Sequence, residues 1–240
     1  MEISKVTNGI RKVLPLKYCG AVIVAAGTAS RMEGIDKVMA ELEGEPMILR
    51  TVRTFQTCDA IKEIIIVTRE DLILPIMGLC AGLDKVKAVM VGGSIRQESV
   101  ERGLNALSNK VKLVAVQDGA RPLITHAVID RTVRAAHSYG AAAPAIPVKD
   151  TIKVVTGGVV SSTPDRKTLQ AVQTPQVFDL DLLRGALKKA KADGAEVTDD
   201  CSAVERLGMS IKIVEGDERN IKVTTPLDLK IAKLLLEDMK

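Results

Sequence analysis

The strongest constraint on the fold is an uncharged run of seven residues, Gly20 to Ala26, that ends at a glycine. The run reads GAVIVAA and contains valine and isoleucine but no polar side chain, which is typical of a strand buried on both faces of a sheet. Such strands occur mainly in parallel sheets that have helices on both faces. The run therefore predicts a central strand of an α/β domain.

Further strand-like runs follow along the chain, and helical patterns separate them. The strand-like runs occupy residues 64–67, 86–91, 112–117 and 140–146, and the helical patterns occupy residues 48–55, 72–82, 96–104 and 125–139. Strands that alternate with helices at this spacing indicate repeated βαβ units, whose strands lie parallel in one sheet. We therefore predict an α/β fold with a mostly parallel sheet.

The alternation stops after residue 146. The segment 147–170 is rich in β-branched residues and has the pair Gly157-Gly158 between TIKVV and VVSST, which predicts a β-hairpin. A two-stranded hairpin is only marginally stable alone, so we expect this arm to project from the domain and to pack on a partner subunit. The remaining patterns predict helices at residues 180–191, 198–207 and 226–239 and a strand at residues 211–214. They also place Lys222 in a strand or at the edge of one.

The loop after the first strand has the composition of an anion site. Gly27 is followed by three small residues, TAS, and then by the cations Arg31 and Lys37. A loop at the carboxyl end of a buried strand exposes successive N–H groups, which together with cations suit a polyphosphate. The loop has neither the G-x-G-x-x-G pattern of dinucleotide sites nor the Walker pattern of P-loops. The alternative interpretation is a turn with two solvated surface cations.

Two later strands end in loops that favour a ligand at the same edge of the sheet. Gly92 and Gly93 follow the strand at 86–91, and Asp118 follows the strand at 112–117, close to Arg121. Ligands of open α/β sheets bind outside the carboxyl ends of strands, and a carboxylate there suits a magnesium ion that bridges phosphates. The alternatives remain open, since glycines also serve tight turns and Asp118 can cap a helix or pair with Arg121.

The composition argues against several classes of function. The 240 residues include two Phe, two Tyr and no Trp, so the chain lacks the aromatic platforms on which single-stranded nucleic acids stack. The net charge of +4 is small and dispersed, which favours a small anionic ligand over a nucleic acid backbone. No apolar run approaches the ~20 residues that a membrane span needs.

The cysteines and the N-terminus set expectations for location and domain structure. The four cysteines lie far apart and only two histidines are present, so neither a zinc site nor a disulfide framework is indicated, and we expect a cytoplasmic protein. We expect residues 18–240 to form a single domain. Residues 1–17 have four basic residues but no apolar segment after them, which predicts an N-terminal extension, a surface helix or a tag, rather than a signal peptide.

Six short blocks occur in order along the chain: AAGTASRM with Lys37, GGSIRQESV, QDGARP, PVKDT, DRKTLQAVQTPQ and RNIKVTTPLDL. From about residue 18 to the C-terminus, the chain resembles the cytidylyltransferases that act on polyol phosphates. Each block alone is weakly specific, whereas all six in order are highly specific. The resemblance implies a nucleotidyltransferase fold, a Rossmann-like three-layer sandwich with a mixed, mostly parallel sheet of seven strands, and a homodimer joined by the hairpin arm.

The resemblance also implies a reaction. Such an enzyme transfers CMP from CTP to a polyol phosphate and releases pyrophosphate, with Mg²⁺ as cofactor. Methylerythritol 4-phosphate, on the non-mevalonate route to isoprenoids, is the first expected acceptor, and ribitol 5-phosphate is the alternative because enzymes for it share these blocks. A non-catalytic nucleotide-binding protein is a hypothesis of a different class, and the presence of Arg31, Lys37 and Lys222 disfavours it.

Site residues are carried over from the resemblance position by position, in two groups. The nucleotide group comprises the catalytic cations Arg31 and Lys37, the backbone of Ala25, Ala26 and Gly27 around the triphosphate, and Gly93, Ser99 and Ala120 around the cytosine and ribose. The acceptor group comprises Asp118, Arg121, Thr151, Arg166, Thr174 and the third catalytic cation, Lys222, with Asp118 also holding the metal. Thr151 and Arg166 flank the hairpin, so we expect them to complete the site of the neighbouring subunit.

Two positions depart from the pattern that the resemblance implies. Ala29 stands where the usual AAGxGxRM has its second glycine; an alanine there would strain the loop by ~1 kcal/mol if the position needs a positive φ, and would stiffen the loop if it does not. Ser94 stands next to the base pocket where relatives often have Asp or Thr.

Overall fold

The structure of the protein is a computed structural model that describes residues 16–27 and 38–238. The strands in these residues are β1 (Cys19–Ala25), β2 (Glu41–Leu42), β3 (Glu45–Pro46), β4 (Ile61–Thr68), β5 (Val86–Val91), β6 (Leu113–Asp118), β7 (Ala141–Pro147), β8 (Val154–Thr156), β9 (Val159–Ser162), β10 (Gln170–Val172), β11 (Gln176–Asp179) and β12 (Lys212–Glu215). The helices are α1 (Met47–Thr57), α2 (Ile73–Leu79), α3 (Arg96–Ala106), α4 (His126–Tyr139), α5 (Leu180–Ala192), α6 (Asp200–Glu205) and α7 (Pro226–Glu237), with 3₁₀ turns at Glu70–Leu72 and Arg166–Thr168. None of these helices combines the length and the apolar character that crossing a membrane requires.

The main sheet is mixed and mostly parallel, as predicted. Its order is β10-β7-β11-β6-β1-β4-β5, and β12 pairs with β7 away from this path. Strand β1 lies between β4 and β6 and is parallel to both, and β5 continues the parallel set beside β4. Among the described strands of this sheet, β10 and β11 run in the opposite direction to all the others.

Helices cover both faces of the sheet. One apolar cluster contains side chains of α1, α2 and α4, and a second contains side chains of α3, α5 and α6. Successive residues of β1 alternate between them, because Ile23 belongs to the first cluster and Val22 to the second. Strand β1 is therefore buried on both faces, which explains why the run around it has no polar residue.

The parallel set brings the predicted loops to one edge of the sheet. Strands β1, β4, β5 and β6 point in the same direction, so their carboxyl ends lie side by side. Residues 26–27 follow β1, Gly92 and Gly93 follow β5, and Asp118 ends β6. The prediction that these loops converge at one edge is confirmed.

Three details differ from the sequence-based expectations. The patterns do not predict β10 and β11, because strands of three or four residues carry little periodicity and their pairing with β6 and β7 is non-local. Within the described residues the main sheet has eight strands, rather than seven. Lys222 lies in irregular backbone, where the N–H of Val223 donates to Ala120 O at 2.9 Å, and not in a strand.

The β-hairpin predicted in the arm, residues 147–170, is present. Strands β8 and β9 form a separate two-stranded sheet, and their turn places Gly157 at φ 59° and Gly158 at φ 82°. Glycine adopts this left-handed region without a steric penalty, and two-residue hairpin turns with that backbone match the twist of the strands. Four valines of the arm are 45–70% exposed, namely Val154, Val155, Val159 and Val160.

Candidate active site

A pocket lies at the carboxyl edge of the sheet and collects most of the predicted site residues. Its lining comprises residues 24–27 at the end of β1 and after it, Val38, residues 93–96 and Ser99 from the β5–α3 loop and the first turn of α3, Asp118 at the end of β6, Ala120, and Lys222. Eight residues carried over from the resemblance thus line one pocket: Ala25, Ala26, Gly27, Gly93, Ser99, Asp118, Ala120 and Lys222. Arg31 and Lys37 lie outside the described residues.

The two glycines after β5 allow a close approach of three chain segments. A Cβ built on Gly92 would lie 2.5 Å from Ala26 Cβ, and one built on Gly93 would lie 2.2 Å from Glu98 Cβ. No real Cβ tolerates such contacts, so both positions require glycine in this arrangement. The N–H of Gly93 donates to Ser99 Oγ at 3.1 Å, which holds the loop against the first turn of α3. Neither Gly92 nor Gly93 has a positive φ, so close packing explains them better than the tight-turn alternative does.

Ser94 has a local partner in the same loop. Both its N–H and its Oγ donate to Glu98 Oε2 at 2.8 Å. These bonds hold the pKa of Glu98 below its ordinary value, because they stabilise the carboxylate. Ser94 therefore stabilises the conformation of this loop.

Asp118 is the electrostatic centre of the pocket. Its Oδ2 lies 3.0 Å from Lys222 Nζ and 3.5 Å from Arg121 Nε, and its Oδ1 lies 3.8 Å from Arg96 Nε. Burial alone would raise the pKa of Asp118, but Lys222, Arg96 and Arg121 outweigh burial and lower this pKa below its ordinary value. The side chain is therefore a carboxylate at neutral pH. Of the alternatives to a metal site, the pairing with Arg121 is present, and Lys222 and Arg96 lie near the same carboxylate.

Lys222 and Arg121 are placed by a segment that packs against the end of β6. Arg121 Nη1 donates to Asn220 O at 2.7 Å, and Asn220 Nδ2 donates to Thr174 O at 2.9 Å. With the bond from Val223 to Ala120, these contacts fix residues 220–223 beside Asp118. The QDGARP and RNIKV blocks, about 100 residues apart in sequence, thus form one site.

Of the remaining acceptor residues, one contacts a residue of the pocket and two do not line the pocket. Thr174 Oγ1 accepts a hydrogen bond from the N–H of Asp118 at 3.1 Å, so it holds the backbone of Asp118. Arg166 is exposed on the arm side of the molecule, where its Nη1 donates to Lys149 O at 2.9 Å. Thr151 is exposed as well. Neither Arg166 nor Thr151 lines the pocket.

Two site residues were not predicted from the sequence. Arg96 lines the pocket and forms an ion pair with Asp200, with 2.7 Å between Arg96 Nη2 and Asp200 Oδ2. Arg96 belongs to the GGSIRQESV block, so the block itself carried a signal. Asp200 belongs to none of the six blocks, and the only signal was a pair of aspartates before an apolar pattern, which predicts a helix start.

The donor set is compatible with a magnesium ion that substrates help to hold. No group of three or more His, Cys, Asp or Glu that could bind a metal occurs within the described ranges 16–27 and 38–238. Magnesium in phosphoryl-transfer sites is commonly bound by one or two carboxylates together with substrate phosphates. Asp118 is such a carboxylate: it is ionised and lines the pocket.

Comparisons with known proteins agree on one family. The family model of IspD, 2-C-methyl-D-erythritol 4-phosphate cytidylyltransferase, matches residues 19–238. A protein of that name from Symbiobacterium thermophilum is 44% identical over 219 residues, which cover 90% of this chain and 92% of the relative. Another from Geobacillus kaustophilus is 45% identical over 219 residues, which cover 90% of this chain and 96% of the relative.

Solved structures show the same similarity. The crystal structure of 4-diphosphocytidyl-2C-methyl-D-erythritol synthase from Anaerococcus prevotii has a TM-score of 0.84 and 31% identity, and the match covers 92% of this chain and 96% of that one. The crystal structure of 2-C-methyl-D-erythritol 4-phosphate cytidylyltransferase from Thermus thermophilus has a TM-score of 0.78 and 32% identity, and the match covers 92% of this chain and 99% of that one.

Proposed function

The chain belongs to the 2-C-methyl-D-erythritol 4-phosphate cytidylyltransferase family, and on this basis we propose that the pocket around Asp118 is its active site. The chain is a cytidylyltransferase that transfers CMP from CTP to 2-C-methyl-D-erythritol 4-phosphate, a step in the synthesis of isoprenoid precursors. The family match does not favour ribitol 5-phosphate as the acceptor. The observation that carries the assignment of the site is a buried carboxylate with three cations around it, at the edge where the parallel strands end.

The chemistry needs positioning and charge stabilisation rather than a protein nucleophile. A phosphate oxygen of the acceptor attacks the α-phosphorus of CTP, a new P–O bond forms, and the bond from the α-phosphorus to the bridging oxygen breaks so that pyrophosphate leaves. Negative charge grows on the leaving and non-bridging oxygens, and fixed cations stabilise it. We assign this role to Lys222 in the pocket and, from the resemblance, to Arg31 and Lys37.

The nucleotide would bind along the two loops that meet over β1. The backbone of residues 25–27 faces the pocket and suits the triphosphate, while Gly93, Ser99 and Ala120 form the wall that suits the base and ribose. Thr174 accepts a hydrogen bond from the backbone of Asp118, and Arg121, which is paired with Asp118, suits the acceptor phosphate. Each of these assignments follows the resemblance, and the pocket supports them by bringing the residues together.

We propose that Asp118 holds the magnesium ion. When bound, the ion would neutralise phosphate charge that the carboxylate would otherwise repel. Lys222 and Arg121 remain close enough to Asp118 to keep it ionised. We expect Asp118→Asn, which keeps the size of the side chain, to bind Mn²⁺ together with CTP more weakly in equilibrium titrations and to need more magnesium for turnover. Full activity of Asp118→Asn at low magnesium would exclude this role.

We also propose a homodimer joined through the hairpin arm. The arm exposes four valines that no other described segment covers, and burying such a surface on a second copy would be favourable. Arg166 and Thr151 do not line the pocket of their own chain, which is compatible with a role in the partner's site. We further propose a reducing location such as the cytoplasm, since all four cysteines are buried and unpaired.

A direct assay tests the function. Purified protein is incubated with CTP and magnesium and with either 2-C-methyl-D-erythritol 4-phosphate or ribitol 5-phosphate, and pyrophosphate release is followed. We expect release with the methylerythritol substrate. Release with ribitol 5-phosphate alone would overturn the choice of acceptor, and release with neither would overturn the assignment as an enzyme.

A further inference from the structure

Asp200 is an almost completely buried carboxylate beside the pocket. It is the first residue of α6, and its relative exposure is 1%. Its N–H donates to Gln176 Oε1 at 3.1 Å, so its backbone is tied to β11. A buried charge is costly unless it is paired. Within the described part of the chain, Asp200 forms one ion pair, and its partner is Arg96.

The pair joins Asp200 to a residue of the pocket wall. Arg96 is the first residue of α3, directly after the loop that holds Gly93 and Ser94. Its Nη2 lies 2.7 Å from Asp200 Oδ2, while its Nε lies 3.8 Å from Asp118 Oδ1. Its side chain is 30% exposed, and a guanidinium has five N–H donors in a planar fork. Asp200 therefore holds one end of the fork and leaves other donors for the pocket.

Helix packing does not need this ion pair. One buried apolar cluster joins the three helices without Asp200. It contains Val100 and Leu104 of α3, Leu183 of α5 and Val204 of α6. Buried ion pairs add little to stability, because desolvation offsets most of the attraction. A purely structural role thus explains the pair poorly.

The charges around Asp118 suggest what the pair does instead. Lys222 and Arg121 lie closer to Asp118 than Arg96 does. If Asp200 lost its charge, Asp118 would be the nearest carboxylate for Arg96, and the guanidinium would shift from the wall toward Asp118. Asp200 opposes this shift because its own contact with Arg96 is the shorter one, at 2.7 Å against 3.8 Å.

We propose that Asp200 is a positioning residue that holds the guanidinium of Arg96 in the pocket wall, where its free donors bind phosphate oxygens of the nucleotide. The inference rests on the proposed nucleotide site. Arg96 is the contacting group, and Asp200 acts only through it. Planar donors held at one end are pre-organised for phosphate, so less side-chain entropy is lost when the ligand binds.

The test measures CTP binding by isothermal titration calorimetry, without turnover. Asp200→Asn keeps the size of the side chain and removes its charge, and Arg96→Lys keeps the charge and removes the fork. We expect each variant to bind CTP at least about tenfold more weakly, as for the loss of a hydrogen bond to a charged group. The double variant should bind no more weakly than the weaker single variant, because both changes remove the same contact.

Controls separate positioning from folding. Asp130→Asn removes the carboxylate of another Arg–Asp pair, with 2.7 Å between Arg134 Nε and Asp130 Oδ2, on a helix that does not line the pocket. It should leave CTP binding unchanged. Melting temperatures identify variants that merely unfold, and Arg96→Lys is expected to fold because Asp200 keeps a cationic partner.

Two results would overturn the proposal. Wild-type CTP binding by Asp200→Asn would show that the pair is structural only, and losses that multiply in the double variant would show that Asp200 acts independently of Arg96. Failure of the proposed function looks different, because wild-type protein would then bind CTP without releasing pyrophosphate, or would not bind CTP.

Discussion

At the scale of single residues, Asp118 and the cations around it determine what the pocket can bind. Lys222, Arg121 and Arg96 reach the carboxylate from three different segments of the chain. In this cluster of side chains the three cations outnumber the carboxylates of Asp118 and Asp200, and the resulting net positive charge suits a polyphosphate ligand. The site is thus arranged to stabilise anionic oxygens rather than to supply a nucleophile.

Removing Lys222 tests this arrangement. We expect Lys222→Ala to lower kcat/KM by about 10²- to 10³-fold, the range seen when one group that stabilises transition-state charge is removed. Steady-state kinetics of pyrophosphate release measure the effect. Lys233→Ala, on the exposed side of α7, is the matched control and should retain wild-type rates. Equal kinetics of the two variants would remove Lys222 from the mechanism.

The cations Arg31 and Lys37 give a second prediction at this scale, from the sequence alone. We expect Arg31→Ala and Lys37→Ala to lower kcat more than they raise KM for CTP, because their contacts should strengthen as charge develops in the transition state. Full kinetic profiles separate the two parameters. An unchanged kcat with only a higher KM would show that these residues bind the ground state.

At the scale of elements, helix α3 places part of the pocket wall, and a glycine allows the helix to lie close to the sheet. A Cβ built on Gly103 would lie 2.4 Å from Val22 Cγ1 and 3.0 Å from Val67 Cγ2. The glycine therefore lets α3 approach β1 and β4, and the start of the same helix carries Arg96 and Ser99. Because α3 is one rigid element, its packing at Gly103 also sets the position of Arg96 and Ser99 in the pocket.

A pair of glycine substitutions tests this packing. Gly103→Ala should destabilise the protein by about 1–3 kcal/mol, because an extra methyl group overpacks the core. Gly185→Ala lies in α5 with open space around the new Cβ, so it should stabilise by about 0.5–1 kcal/mol through helix propensity. Urea unfolding measures both. A stabilising Gly103→Ala would mean that α3 has room to move away from the sheet.

At the scale of the whole molecule, two expected site residues lie beside the hairpin arm and do not line the pocket. These residues, Arg166 and Thr151, are both exposed. By contrast, Thr174 accepts a hydrogen bond from the backbone N–H of Asp118. The proposed dimer, in which each site contains residues of both copies, would reconcile this placement with the resemblance. This proposal also predicts that activity depends on dimer formation.

Mixing inactive subunits tests whether sites are shared. Arg166→Ala and Lys37→Ala proteins, each inactive alone, are combined under conditions that let subunits exchange. If Arg166 serves the partner's site, a mixed dimer has one site with both lesions and one with neither, so a substantial fraction of wild-type activity should return. If Arg166 serves its own chain, every site keeps one lesion and the mixture stays inactive.

The sequence alone determined the fold class, the order of most elements and the family. These follow from local information. Strands β1, β4, β5 and β6 contain apolar runs, the longer helices show their period, and the pair Gly157-Gly158 specifies the turn of its hairpin. Most residues that line the pocket lie within the six blocks. Each block can be recognised in the sequence because its residues are contiguous. The loop glycines and Asp118 could be placed at one edge because parallel strands end together.

The tertiary structure alone decided which distant residues meet. Strands β10 and β11 are too short to show a period, and their place in the sheet depends on pairing with β6 and β7. The packing that requires Gly92 and Gly93 arises between β1, β5 and α3. Asp200 shows no chemical motif, and its role is visible only because α6 places it 2.7 Å from Arg96. Burial and ion pairing are properties of the folded arrangement, so no local pattern of residues encodes them.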